Sequence, residues 1–201
     1  MRAGQSPVQT EAVWTVPNGL SLLRLATIPL FVWLALGPQA DGWAALTLVV
    51  GGVTDYLDGW LARRWNQVSR VGQLLDPIAD RLTTLCVLVV FLLRGIVPWW
   101  FVAIVVGRDV VLAVEMGRLK RAGIIGLPVH FVGKAATFNL LMSFPLLMWG
   151  ADAAQGGLPA LARTAGWALA LWGVGLYLYG AWLYLRQGRE VLARVPTTAM
   201  G

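Results

Sequence analysis

The chain has a single cysteine, Cys86, set in an apolar run with no second cysteine to join it, which excludes both a disulfide framework and a cysteine metal site. Charge is nearly as scarce. Asp, Glu, Lys and Arg make up only 13% of the 201 residues, against 58% hydrophobic residues, whereas soluble domains run at roughly a quarter charged and half apolar. With a mean hydropathy of +0.67, this is the composition of an integral membrane protein. No repeat of solenoid period and no low-complexity tract is present. The net charge of +6 has no soluble basic domain to carry it, so nucleic acid is excluded as a partner. The first residues, "MRAGQSPVQTEAVWT", lack the apolar core and small-residue cleavage pattern of a secretory signal and read as a retained segment. Val13 and Trp14 suit either a short interfacial helix or an unstructured tail.

What is abundant is apolar sequence in helix-length runs. Six fall at about 18–36, 42–62, 74–93, 98–117, 130–149 and 165–185, each close to the roughly 20 residues needed to cross a bilayer. The reading is an all-α membrane protein with six transmembrane helices and one domain over 1–201, with 1–16 a juxtamembrane segment and 187–201 a tail. Pro17, Pro38, Pro98 and Pro128 sit near the joints, where a missing amide hydrogen costs little. Trp14, Trp43, Trp65, Trp99, Trp100, Trp149 and Trp167 gather near span ends as an interfacial belt. Basic residues set the orientation. Arg63, Arg64 and Arg70 follow the second span, Arg118, Lys120 and Arg121 follow the fourth, and Arg189 and Arg194 lie in the tail, while the opposite connections hold only Arg94 and Arg163. Both termini and the two basic loops are therefore expected on the cytoplasmic side of a bacterial plasma membrane, facing anionic headgroups.

Against this apolar background, "DYLDGWLARRWNQVSRVGQLLDPIAD" concentrates four of the ten acidic residues, Asp55, Asp58, Asp76 and Asp80. Asp55 and Asp58 are three apart at the cytoplasmic end of the second span, and Asp76 and Asp80 four apart at the start of the third, so each pair shares a helix face. The short basic loop makes the two helices antiparallel neighbours, and all four carboxylates can converge. Such a cluster is self-repelling and costly to desolvate unless a positive group holds it. Hard oxygen donors suit Mg²⁺ or Mn²⁺, and two such ions about 3.5–4 Å apart are a recurrent device of phosphoryl transfer. Gly59, Ala62 and Gly72 would let a bulky ligand approach the backbones, and Arg63 offers a planar fork for a diphosphate. The plainer alternative is a set of salt bridges to Arg63, Arg64, Arg70 and Arg81.

The spacing D-x-x-D-G-x-x-A-R-x8-G-x-x-x-D-x-x-x-D, filled by Asp55, Asp58, Gly59, Ala62, Arg63, Gly72, Asp76 and Asp80, resembles the signature of the CDP-alcohol phosphotransferases at all eight fixed positions. The likeness extends to "VPNGLSLLR", with Pro17, Asn18, Ser21 and Arg24, and to the six-span organisation. The resemblance implies cleavage of a CDP-linked lipid, usually CDP-diacylglycerol, with release of CMP and transfer of the phosphatidyl group to an alcohol. It implies two divalent cations on Asp55, Asp58, Asp76 and Asp80, with Asp80 also the general base. It implies a CDP pocket lined by Gly59, Arg63 and Ser69 together with Pro17, Asn18 and Ser21, and a homodimer.

For the acceptor, Arg108 and Asp109 lie about ten residues, or roughly 15 Å, into the fourth span, too deep for an idle surface pair. Adjacent helix positions diverge, so each is expected to have its own partner, either lining an acceptor pocket or locking helices. His130 and Lys134 share a face. Lys134 would meet an acceptor phosphate or snorkel to the interface, and His130 reads as a packing or interface residue. Within the family, "VPNGLSLLR", "GRDVVL" and "GKAATFN" are most similar to the cardiolipin synthase branch, which uses phosphatidylglycerol. The phosphatidylglycerophosphate synthase branch, which uses glycerol 3-phosphate, typically carries Glu where this chain has Asp109. A metal-ion transporter is the alternative of another class, but all four aspartates sit at one membrane side, whereas a carrier places charge near the midplane. A purely structural membrane protein leaves the carboxylate cluster unexplained.

Overall fold

The computed structural model describes residues 16–65, 70–124, 131–152 and 156–192, and at 16–24, 58–65, 70–79 and 192 the description stops at the backbone. Six helices follow one another: α1 (Val16–Leu36), α2 (Asp41–Trp65), α3 (Arg70–Leu93), α4 (Trp99–Arg121), α5 (Phe131–Trp149) and α6 (Gly157–Leu192). No strand occurs among the described residues. The six apolar runs each became a helix, longer than the run where polar residues continue it into the interface. The last differs most. It begins at Gly157 rather than 165 and ends at Leu192, because "GLPALART" is helix-compatible with Pro159 in the first turn, where its missing N–H is no loss. At 1.5 Å per residue this helix is about 54 Å long, so the tail expected from 187 begins as helix.

Among the described residues two helices, α5 and residues Gly157–Val191 of α6, are long and apolar enough to cross a membrane by length and composition. The outward faces agree with lipid exposure. Trp33, Leu93, Trp99, Phe131, Leu158 and Trp172 are each more than half exposed, an apolar surface that water would not tolerate on this scale. Trp43, Trp99, Trp100 and Trp149 stand exposed near helix ends, as a belt requires. Trp167 does not. It lies well inside α6, half-buried and edge-on to Phe101 at 5.9 Å, because the helix starts earlier than the apolar run. Trp14, Pro128 and His130 fall outside the described residues, as does the interfacial segment, and so do the side chains of Pro17 and Trp65.

α5 and α6 form the tightest pair, and glycine sets their separation. A Cβ at Gly166 would meet the Leu147 backbone N at 3.0 Å, one at Gly173 the Leu140 N at 3.2 Å, and one at Gly180 would reach Gly133 at 3.8 Å. Each step of seven along α6 matches a step of seven backward along α5. This is the register of two antiparallel helices crossing at a shallow angle with small residues at the seam. Gly150, just past α5, is closest of all: a Cβ there would fall 2.6 Å from the Arg163 backbone N.

The described core gathers where α1 and α3 end and α2 and α4 begin, from Phe31, Ala35, Ala44, Val87, Leu88, Phe91, Val97 and Phe101, closed by Phe144, Leu147 and Met148 of α5. Phe91 meets Phe144 edge-on at 5.8 Å. The same end carries a polar tie. Arg94 donates to both carboxylate oxygens of Asp41, in the first turn of α2, and to the carbonyl of Ala35 at 3.1 Å. It thereby supplies a donor to the orphaned last turn of α1 and balances a carboxylate at the helix N-terminus of α2. Among the described residues α2 packs on α1 and α5, and α3 on α1 and α4, so α1 is their common neighbour. The direct α2 to α3 approach expected near the carboxylates belongs to segments whose side chains lie outside the description.

Gly150→Ala should therefore lower stability by about 1–3 kcal/mol through overpacking, while Gly175→Ala, with nothing within 4 Å of its Cβ position, should be neutral or slightly stabilising. Thermal unfolding of the two variants in detergent checks this, and equal shifts would contradict the seam.

Candidate active site

The signature residues sit on two helices. α2 is helical without interruption through Asp55, Asp58, Gly59, Ala62 and Arg63, and α3 through Gly72, Asp76 and Asp80. The one-turn spacing within each aspartate pair is therefore realised in the backbone. Of the four carboxylates, Asp55 is half-buried and Asp80 exposed. The side chains of Asp58, Asp76, Gly59, Ala62, Arg63 and Gly72 lie outside the described residues, as do those of Asn18 and Ser21, and the whole of Ser69. Among the described residues no group of three acidic, histidine or cysteine side chains is assembled. The donor set itself, four carboxylates with no sulfur or imidazole among them, fits a hard divalent cation.

One residue after Asp80, Arg81 belongs to a polar centre that joins three helices. Asp109, on α4, accepts three donors: Arg81 Nη1 at 2.8 Å from α3, Arg108 Nη1 at 3.1 Å, and the Tyr177 hydroxyl at 2.6 Å from α6. Arg108 in turn lies over the Tyr177 ring, 3.8 Å from its centroid, a cation–π contact. Asp109 has the partners of its own that were expected, in Arg81 and Tyr177, but Arg108 and Asp109 also meet each other. The long Arg108 stem lets its guanidinium fold back onto the neighbouring carboxylate, and both side chains also engage Tyr177. Arg108 Nε is buried without a hydrogen-bond partner among the described residues. Arg81 is 68% exposed, so its share of the junction is the weakest.

Tyr177 is the residue that sequence reasoning missed. It stands in "GLYLYGAWLYL" among three further aromatic residues, and nothing in that run marks it as polar-facing. A heptad reading of the α6 glycines would have placed it one turn before Gly180 and toward the bundle. Lower on α4, buried Glu115 has Arg118 at 3.6 Å, and Gly188 of α6 makes room for it, since a Cβ there would lie 3.1 Å from Glu115 Oε1. Lys134, in the first turn of α5, is exposed.

The chain belongs to the CDP-alcohol phosphatidyltransferase family, whose model matches residues 14–178. It is thus a phosphatidyltransferase, an enzyme of phospholipid biosynthesis. Over 94% of its length it is 49% identical to "Cardiolipin synthase (CMP-forming)" of Streptomyces coelicolor, covering 89% of that protein. It is 46% identical, again over 94% of its length and 90% of the relative, to "Putative cardiolipin synthase" of Mycobacterium bovis. "CDP-diacylglycerol--glycerol-3-phosphate 3-phosphatidyltransferase" of Sodalis glossinidius is 32% identical over 83% of this chain and 94% of its own.

Tyr177→Phe keeps the ring beneath Arg108 and removes one hydrogen bond to a charged acceptor, so it should cost about 1.5–3 kcal/mol. Asp109→Ala strands the half-buried Arg108 and should cost about 3–5 kcal/mol. Unfolding midpoints in detergent, unchanged for both, would show that the junction does not hold the helices.

Proposed function

We propose that the protein is a cardiolipin synthase, transferring the phosphatidyl group of CDP-diacylglycerol to phosphatidylglycerol with release of CMP. The observation that carries the acceptor is the gradient of likeness, 49% and 46% to relatives named as cardiolipin synthases against 32% to the glycerol-3-phosphate enzyme. Asp109 supports it, since the glycerol 3-phosphate branch typically carries Glu there. Phosphatidylglycerophosphate synthesis is the second reading, on the 32% relatives.

In this reading Asp55, Asp58, Asp76 and Asp80 hold two divalent cations, Mg²⁺ or Mn²⁺, which neutralise the diphosphate when bound. Arg63, with Gly59, Ala62, Ser69 and Gly72, receives the CDP moiety, flanked by Pro17, Asn18 and Ser21. Asp80 takes the proton of the acceptor hydroxyl. The hydroxyl oxygen forms a new bond to the phosphatidyl phosphorus, in line with the bond to CMP that breaks, and CMP leaves as its phosphate anion. Arg108 presents its unpartnered Nε–H to an acceptor phosphate, held in place by Asp109 and Tyr177, while Lys134 adds a charge at the cytoplasmic mouth. Six spans with both termini cytoplasmic let the nucleotide leave to water while acyl chains stay in lipid. A homodimer completes the proposal.

The test is CMP release by the purified protein with CDP-diacylglycerol and Mg²⁺ or Mn²⁺, offering phosphatidylglycerol and glycerol 3-phosphate separately and identifying each lipid product. Cardiolipin formed from phosphatidylglycerol alone is the expected result, and phosphatidylglycerophosphate from glycerol 3-phosphate would overturn it. Asp80→Asn should lower turnover by about 10²–10⁴-fold with CDP-diacylglycerol binding retained. Lys134→Ala should impair glycerol 3-phosphate use, where any is found, more than phosphatidylglycerol use.

A further inference from the structure

At the end of the bundle opposite the four aspartates, a cavity of about 60 Å³ opens between the turn after α3, the end of α5 and the start of α6, lined by Arg94, Ile96, Leu147, Gly150, Arg163 and Trp167 among others. We infer that it is a phosphate-oxyanion site that takes the headgroup of an anionic phospholipid. Its two cations are Arg94, in the turn after α3, and Arg163, in the second turn of α6, at the end of the bundle where the positive-inside rule makes Arg and Lys scarce. Arg94 is accounted for by Asp41 and Ala35. Arg163 is not, for it forms no ion pair or hydrogen bond through its side chain among the described residues.

The fold brings Arg163 there deliberately. Gly150 lets the α6 backbone at Arg163 approach within a distance no side chain would permit, which sets the second guanidinium at the rim of the same cavity as the first. Among the described residues no carboxylate side chain lines the cavity. Asp41 neutralises Arg94, so the lining keeps about one net positive charge, together with the guanidinium donors that Asp41 and Ala35 leave unused. At about 30 Å³ per water the volume admits about two water-sized groups, enough to receive phosphate oxygens at the rim. Ile96, Leu147 and Trp167 supply an apolar wall, as a lipid headgroup at the edge of the hydrocarbon requires.

The experiment measures thermal stabilisation of the full chain in a zwitterionic detergent, without CDP-diacylglycerol, on titration with phosphatidic acid, phosphatidylcholine or inorganic phosphate. Phosphatidic acid has no headgroup alcohol and so is not an acceptor. Phosphatidic acid should stabilise at concentrations at least tenfold below phosphatidylcholine, and Arg163→Gln should weaken this at least tenfold while leaving basal CMP release unchanged. Stabilisation by inorganic phosphate that Arg163→Gln also removes would identify free phosphate as a ligand of the same site. Equal effects of phosphatidic acid and phosphatidylcholine, or phosphatidic acid binding undiminished in Arg163→Gln, would overturn the inference. If Arg163→Gln loses its basal activity, Arg163→Lys, which keeps the charge without the fork, should bind a few-fold more weakly, and unchanged binding overturns it.

Discussion

The close backbone approach of α5 and α6 governs much of what surrounds it. In lipid there is no hydrophobic force to drive helices together, so van der Waals packing between small residues must hold the pair. Gly150, Gly166 and Gly173 provide it, each where a Cβ would collide with the opposite helix. α6 in turn fixes α4, through Gly188 against Glu115 and Tyr177 against Arg108 and Asp109. In the proposed mechanism, a bundle built on this seam carries the ligand-binding halves of α2 and α3.

Polar ties complete the scaffold at two depths. Arg94 joins α1, α2 and the end of α3 through Asp41 and Ala35, and Asp109 joins α3, α4 and α6. The desolvation cost of such pairs offsets much of their attraction, but losing one partner strands a charge away from water and costs several kcal/mol, about 3–5 in measured cases. Asp109 therefore has a structural duty that its position along α4 alone does not reveal. Arg81, its partner from α3, directly follows Asp80 in the sequence.

Helix number and approximate helix extent were legible because apolar runs of bilayer length leave few alternatives. The family was legible because Asp55, Asp58, Asp76 and Asp80 combine a chemistry and a spacing that a lipid-facing chain does not keep without use. The early start of α6 was not, since "GLPALART" is only mildly apolar, and Trp167 was consequently assigned to the interface rather than to the contact with Phe101. Tyr177 and the Arg94–Asp41 pair were not legible either. Both depend on which faces meet across long separations in the chain, and one sequence carries no record of that.

The proposed chemistry requires carboxylates from α2 and α3 to converge on a pair of divalent ions. Electron paramagnetic resonance of Mn²⁺ bound to the purified protein, with a non-reacting CDP-lipid analogue present, tests this directly. The account predicts two ions per chain with the strong coupling of a separation of about 3.5–4 Å, lost in Asp76→Asn. A single isolated ion, or a coupled pair indifferent to Asp76, would contradict it.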